Sequence, residues 1–168
     1  VSKAVGAVNT VSVQGGRLIG YNTDVYGFQR ALAPFLKLHH RRALVLGTGG
    51  ASKAVAYVLS SMGIQFLHVS RTPEGPQQVG YVDLNANALR DFPLIVNTTP
   101  VGTFPEVDEC PDIPYESITA DNLLVDLVYN PPETLFLKKG KECDALVVNG
   151  MPMLVAQADK AWQIWNKG

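Results

Sequence analysis

Residues 43–54, Ala43-Leu44-Val45-Leu46-Gly47-Thr48-Gly49-Gly50-Ala51-Ser52-Lys53-Ala54, set an apolar run, a glycine-rich turn and the opening of a helical pattern in direct succession. The run is short and does not alternate, as expected of a strand buried on both faces of a parallel sheet. Beyond the turn, Ala51, Val55, Val58, Leu59 and Met62 recur at helical spacing. The first glycine permits a tight turn, and the second lets backbone amides approach a pyrophosphate at a helix N-terminus, where the dipole favours negative charge. A βα turn without a ligand could use the same glycines for close packing alone.

Outward from this stretch, apolar runs recur at Phe66-Leu67-His68-Val69, Leu94-Ile95-Val96, Leu123-Leu124-Val125 and Leu146-Val147-Val148. A second helical pattern covers about 133–142. Strand and helix alternate, which predicts an α/β fold with a doubly wound, mostly parallel sheet and right-handed crossovers. Residues 72–80 hold Pro73, Gly75, Pro76 and Gly80, too many breakers for a full crossover helix. Residues 103–114 read as a surface loop. Before the sheet, 5–13 and 17–21 read as two extended segments joined at Gly15-Gly16. After it, Pro152 opens a final helix with Leu154, Ala158, Ala161, Trp162 and Trp165 on one face, the tryptophans as core. His39-His40-Arg41-Arg42 reads as a solvated lead into the first strand.

At the end of the second strand, about 20 residues past the glycines, a carboxylate usually receives the ribose hydroxyls of NAD. Ser70-Arg71-Thr72 stands there instead, and a guanidinium offers a fork to a 2′-phosphate where a carboxylate would repel it. NADP is therefore expected over NAD. An exposed loop arginine is the plainer alternative, and Glu74 close by could still serve a ribose.

Composition narrows the field. In 168 residues, 14 Lys+Arg against 15 Asp+Glu leave a net charge of −1, with no basic excess to draw nucleic acid or anionic lipid. Length suits one domain with appendages. Cys110 and Cys143 form no CxxC and no metal-ligand spacing, so no metal is expected and a reduced compartment is favoured. No apolar run is long enough to span a bilayer. A cytoplasmic protein is expected, and the start at Val1, without an initiator Met, reads as the interior of a longer one.

Six further segments fall in order along the chain: Gly6-Ala7-Val8-Asn9-Thr10, Gly20-Tyr21-Asn22-Thr23-Asp24, Gly27-Phe28, Asn97-Thr98-Thr99-Pro100-Val101-Gly102, Asp126-Leu127-Val128-Tyr129-Asn130-Pro131, and 149–157 from Asn149 to Gln157. Together with the glycine turn they resemble the shikimate dehydrogenase family across nearly the whole chain. The resemblance implies an NADP-dependent, reversible oxidation of shikimate to 3-dehydroshikimate in aromatic amino-acid biosynthesis, in a cleft between two domains. It implies a substrate-domain remnant and link at 1–23, a Rossmann-like NADP-binding domain at 24–149, and a C-terminal helix at 150–168 that packs toward the substrate domain.

Carried over by motif, Asn9, Asp24, Tyr129 and Gln157 belong to the shikimate site, with Asp24 catalytic. Gly47, Gly49, Gly50 and Ala51 meet the pyrophosphate, Ser70, Arg71 and Thr72 the adenosine phosphate, and Thr98, Val128 and Gly150 the nicotinamide. Asp24 could instead be a helix N-cap and Asn9 a turn residue. Two departures stand out. The family's catalytic lysine lies in a motif upstream of Gly6, so this stretch alone is expected to be inactive without the missing domain. The second basic residue that often follows the arginine is absent from 73–78. A quinate/shikimate dehydrogenase using NAD and a non-catalytic metabolite-sensing regulator are the rival readings. Exposed apolar surface on the last helix and on 1–21 suggests self-association, with a homodimer as one form.

Overall fold

The computed structural model describes residues 2–166. Val1, Lys167 and Gly168, which the sequence reading assigns to the flanking segments, lie outside the described residues. After a short helix α1 (Ser2–Val5) come the strands β1 (Thr10–Gln14) and β2 (Arg17–Tyr21), then helix α2 (Asp24–Leu32). β3 (Arg42–Leu46), α3 (Gly50–Ser61), β4 (Gln65–Ser70), β5 (Gln78–Gly80) and α4 (Ala86–Asp91) follow. The chain continues through β6 (Leu94–Asn97), β7 (Leu123–Asp126), α5 (Leu135–Glu142) and β8 (Leu146–Val148) to the last helix, α6 (Met151–Trp165).

The fold is α/β. Six parallel strands run in the order β5-β4-β3-β6-β7-β8. The chain starts at the centre, winds outward through β4 and β5, and returns to build the other half, so the order reverses between β3 and β6. Such a reversal opens a crevice at the carboxyl ends of the strands, where ligands bind in doubly wound sheets.

Alternate strand residues point to opposite faces. Ala43, Val45, Leu94, Val96, Leu123 and Val125 pack on one face with α2, α3 and Met153 of α6. Leu44, Leu46, Ile95 and Leu124 pack on the other with Leu89 of α4 and with Phe136 and Leu137 of α5. Covering on both sides explains why the strands read as continuous apolar runs rather than as alternating ones.

Five apolar runs predict five strands in the sheet; β5 is a sixth, three residues long, paired in parallel with the edge of β4. No helix joins β4 to β5, in keeping with the breakers at 72–80. Val5 is not extended but ends α1, and the hairpin begins only at Thr10. Its turn is at Gly15-Gly16 as expected, with φ of +55° and +76°, a conformation that two side-chain-bearing residues would resist. His40 is not solvated: it is buried, its Nδ1 accepts the Lys37 N–H at 3.0 Å, and its other ring nitrogen lies 3.2 Å from the Asp121 carbonyl.

The last helix begins beside Pro152 as read, but its buried stripe is Met153, Ala161 and Ile164. Trp162 and Trp165 are 67% and 58% exposed, so they are not core. The Trp165 indole N–H donates to the Val11 carbonyl at 2.9 Å, tying the end of α6 to the hairpin.

Candidate functional site

The glycine turn lies between the carboxyl end of β3 and the N-terminus of α3, beside the point where the strand order reverses. Gly47 has φ +104°, a region L side chains rarely adopt, and a Cβ there would stand 3.0 Å from both Thr98 Oγ1 and Thr99 Cγ2. Its N–H donates to the Val69 carbonyl at 2.9 Å, and its own carbonyl lies 3.0 Å from His68 Nδ1. Gly49 caps α3 in an extended conformation. A Cβ at Gly49 or Gly50 would meet nothing within 4 Å, so neither glycine is required by packing. Their smallness leaves open space against the first turn of a twelve-residue helix, whose leading N–H groups have no intrahelical acceptor. Ala51 follows in the same turn.

One strand over, β4 ends at Ser70, whose hydroxyl both donates to the Thr72 carbonyl and accepts the Thr72 N–H. This closes a small turn that projects Arg71 and Thr72 into solvent. Arg71 forms no ion pair and no hydrogen bond among the described residues. Its guanidinium remains available to an anion at the end of the strand adjoining the glycine turn.

The other half of the sheet presents a buried polar network. Asn97 and Asp126, the last residues of β6 and β7, are wholly buried and stand opposite one another in register. Asn97 Nδ2 donates to Asp126 Oδ1, while Asn97 Oδ1 accepts from the Thr99 N–H and hydroxyl. Asp126 Oδ1 also accepts the Val128 N–H at 3.0 Å, and Oδ2 accepts the Thr134 hydroxyl at 2.6 Å. Burial pushes the Asp126 carboxyl up to about 6, against the three donors that favour its charged form. Two further bonds fix the loops after β6 and β8 at the same end of the sheet. Thr98 Oγ1 donates to the Leu46 carbonyl at 2.7 Å, and the Gly150 N–H donates to the Val128 carbonyl at 2.9 Å. Gly150 admits no side chain, because a Cβ would lie 2.1 Å from the Leu127 carbonyl oxygen.

Asn9 and Asp24 meet at the head of α2, and Gln157 packs one turn along it. Asn9 Oδ1 accepts the Thr23 N–H at 2.8 Å and the hydroxyls of Thr10 and Thr23 at 3.2 Å. The N-cap of α2 is Thr23 and not Asp24, which is the first residue of the helix and half-buried. Burial raises the Asp24 carboxyl above its ordinary range, while the neighbouring Asn9 side chain opposes that shift. One turn along, Gly27 lets α6 approach closely: a Cβ would stand 2.7 Å from the Met153 carbonyl and 3.1 Å from Gln157 Cβ. Gln157 therefore sits at the α2–α6 contact, and its Oε1 is buried without a hydrogen-bond partner among the described residues. Tyr129 lies apart, 46% exposed on the loop after β7.

No protein-family model matches the chain. The shikimate dehydrogenase (NADP+) of Methanococcus maripaludis is 37% identical over 180 residues, covering 98% of this chain and 64% of that protein. Its counterpart in Halothermothrix orenii is 39% identical over 181 residues, covering 96% and 63%. The crystal structure of shikimate 5-dehydrogenase from Thermus thermophilus, in complex with NADP(H) and shikimate, matches with a TM-score of 0.84 at 36% identity, over 98% of this chain and 64% of that one. The chain belongs to the shikimate dehydrogenase family. It spans just under two thirds of the length of the curated relatives it matches.

Four residues to which the sequence assigns no role, His68, Asn97, Asp126 and Thr134, hold the glycine turn and the ends of β6 and β7. Each of the first three carries a signal, since His68 interrupts an apolar run and Asn97 and Asp126 end two others with a polar side chain. A concavity of about 870 Å³ at the opposite, amino-terminal edge of the sheet, lined in part by Arg42, Arg90 and Asn122, contains none of these residues. Among the described residues no cluster of three or more His, Cys, Asp or Glu could hold a metal ion. No described helix is long and apolar enough to cross a membrane.

Proposed function

We propose that this chain supplies the NADP site and part of the shikimate site of an enzyme that reversibly oxidises shikimate to 3-dehydroshikimate. The observation that carries the reading is the pairing of an open glycine turn at the head of α3 with an unengaged Arg71 at the end of β4. The turn offers backbone N–H donors and a helix dipole to a pyrophosphate. Arg71 offers a bidentate contact to the 2′-phosphate of NADP, with Ser70 and Thr72 beside it. No carboxylate at 70–72 repels that phosphate. The second half of a doubly wound sheet takes the other mononucleotide, which assigns the nicotinamide to the wall formed by Thr98, Val128 and Gly150. Residues 24–149 are the dinucleotide-binding unit in this reading.

A bound NADP would supply the hydride acceptor, and the proton of the substrate hydroxyl would go to a protein group. Asp24 is the acid–base candidate at the head of α2. Its raised pKa brings it closer to the neutral range, where a base works well. Asn9 and Gln157 orient substrate hydroxyls. The unpartnered Gln157 Oε1 supports this, because a buried acceptor without a donor costs free energy that a ligand hydroxyl would offset. Tyr129, exposed on the loop after β7 and apart from these three, is assigned to the substrate by its motif alone.

The 168-residue polypeptide is then expected to bind NADPH, followed by fluorescence or calorimetry, and to show no shikimate-dependent reduction of NADP by itself. Only Asn9, Asp24, Tyr129 and Gln157 are on hand to position substrate, and positioning and acid–base catalysis are each worth orders of magnitude in rate. Robust turnover would place the catalytic machinery elsewhere.

A further inference from the structure

His68 stands in the middle of β4, where an apolar side chain would be the ordinary choice for a strand of a covered parallel sheet. Its ring is set edge-on to Phe66, with centroids 5.4 Å apart and planes at 85°. Its Nδ1 lies 3.0 Å from the carbonyl oxygen of Gly47. A carbonyl can only accept, so Nδ1 carries the hydrogen and donates it.

The other contacts around Gly47 leave this bond a particular task. Gly47 N–H is fixed by the Val69 carbonyl, and the space beside its Cα is closed by Thr98 and Thr99. The orientation of the next peptide, which links Gly47 to Thr48, is governed by what the Gly47 carbonyl meets. In a planar trans peptide the carbonyl and the following N–H point in opposite directions. A carbonyl held toward β4 therefore cannot swing toward the open face of α3, where its partial negative charge would repel a phosphate, and the Thr48 N–H is turned away from β4.

We propose that His68 is a positioning residue for the dinucleotide, holding the glycine turn by its hydrogen bond to Gly47 in the form that receives the pyrophosphate. This rests on the NADP reading above.

The test compares His68→Leu, which removes the donor, with His68→Asn, whose side-chain N–H₂ is attached at the same place as Nδ1 and can restore it. Dissociation constants are measured by calorimetry for NADPH and, by competition, for adenosine 2′-monophosphate, which carries the ribose phosphate but no pyrophosphate. Loss of one neutral hydrogen bond predicts NADPH binding weakened about three- to tenfold in the Leu variant. The Asn variant is expected within about twofold of the parent, and adenosine 2′-monophosphate is expected to bind all three alike. Leu and Asn variants equally weakened, a Leu variant unchanged, or adenosine 2′-monophosphate weakened in parallel would each overturn the proposal. If the Leu variant does not fold, an Asn variant weakened by more than about twofold for NADPH overturns it, and one within that range supports it. An unsubstituted chain that binds no dinucleotide overturns the NADP reading, and this inference with it.

Discussion

Asn97 donates its side-chain amide to Asp126 Oδ1 at 3.0 Å, joining the carboxyl ends of β6 and β7 inside the protein. Among the described residues Asp126 meets hydrogen-bond donors and pairs with no cation, so its charge is solvated by hydrogen bonds. Its pKa, raised from an ordinary 3.8 to about 6, means that ionisation opposes folding. That cost is absent at pH values below the unfolded pKa, grows as pH rises through about 6, and is full above it. Asp126→Asn keeps an acceptor for Asn97 and Val128 and can donate to Thr134. It is expected to match or exceed the parent in stability at about pH 8, with the difference shrinking as the pH falls toward about 4. Urea unfolding across that range checks it, and a uniform loss at every pH would refute it. Asp126→Ala strands three donors and is expected to cost about 2–4 kcal/mol.

Gly150→Ala tests the crevice wall from the other side. A Cβ 2.1 Å from the Leu127 carbonyl cannot be accommodated without moving the backbone of the 127–128 loop. A loss of about 3 kcal/mol or more is expected, at the upper end for overpacking because the obstacle is main chain. A thermal midpoint unchanged by this substitution would show that the loop after β7 yields readily.

Gln157 separates a structural role from a binding one. Its Oε1 is buried without a partner, so Gln157→Leu should leave thermal stability unchanged or raise it, by up to about 2 kcal/mol. In the whole protein the same change should raise the KM for shikimate. A clear loss of stability would mean that Gln157 serves packing and not substrate.

The extent to which these features are legible in the sequence follows from their range. The central strands are plain because 43–46, 94–96 and 123–125 are unbroken apolar runs, and the glycine turn is plain because its residues are contiguous. β5 is not legible: three residues with Val79 alone as an aliphatic make no pattern, and only the free edge of β4 gives them a partner. The face of α6 is misread because Trp162 and Trp165 weigh heavily in any apolar count, whereas Gln157 interrupts the stripe that is buried. The Asn97–Asp126 pair joins residues 29 apart in sequence through sheet register, which no local pattern reports. Asp24 does not cap α2: the Asn22 side chain takes the Val25 N–H, and Asn9, from a segment before the hairpin, takes the Thr23 N–H, a contact no local pattern reports.

Exposed apolar side chains on the hairpin and α6 bear on assembly. Val13, Leu18, Trp162 and Trp165 are 70%, 76%, 67% and 58% exposed. Surface of this kind seeks a partner. The 168-residue polypeptide alone is expected to self-associate in sedimentation experiments, and Trp162→Lys should shift it toward the monomer. A monodisperse monomer at high concentration would count against this.

The most direct measurement is a calorimetric titration of the chain with NADPH and with NADH, repeated on Arg71→Ala. NADPH is expected to bind at least about tenfold more tightly than NADH, as a charge-assisted bidentate contact implies, with the difference mostly erased in the variant. Equal affinities in the unsubstituted chain, or no binding of either, would contradict the assignment of Arg71 to the 2′-phosphate of NADP.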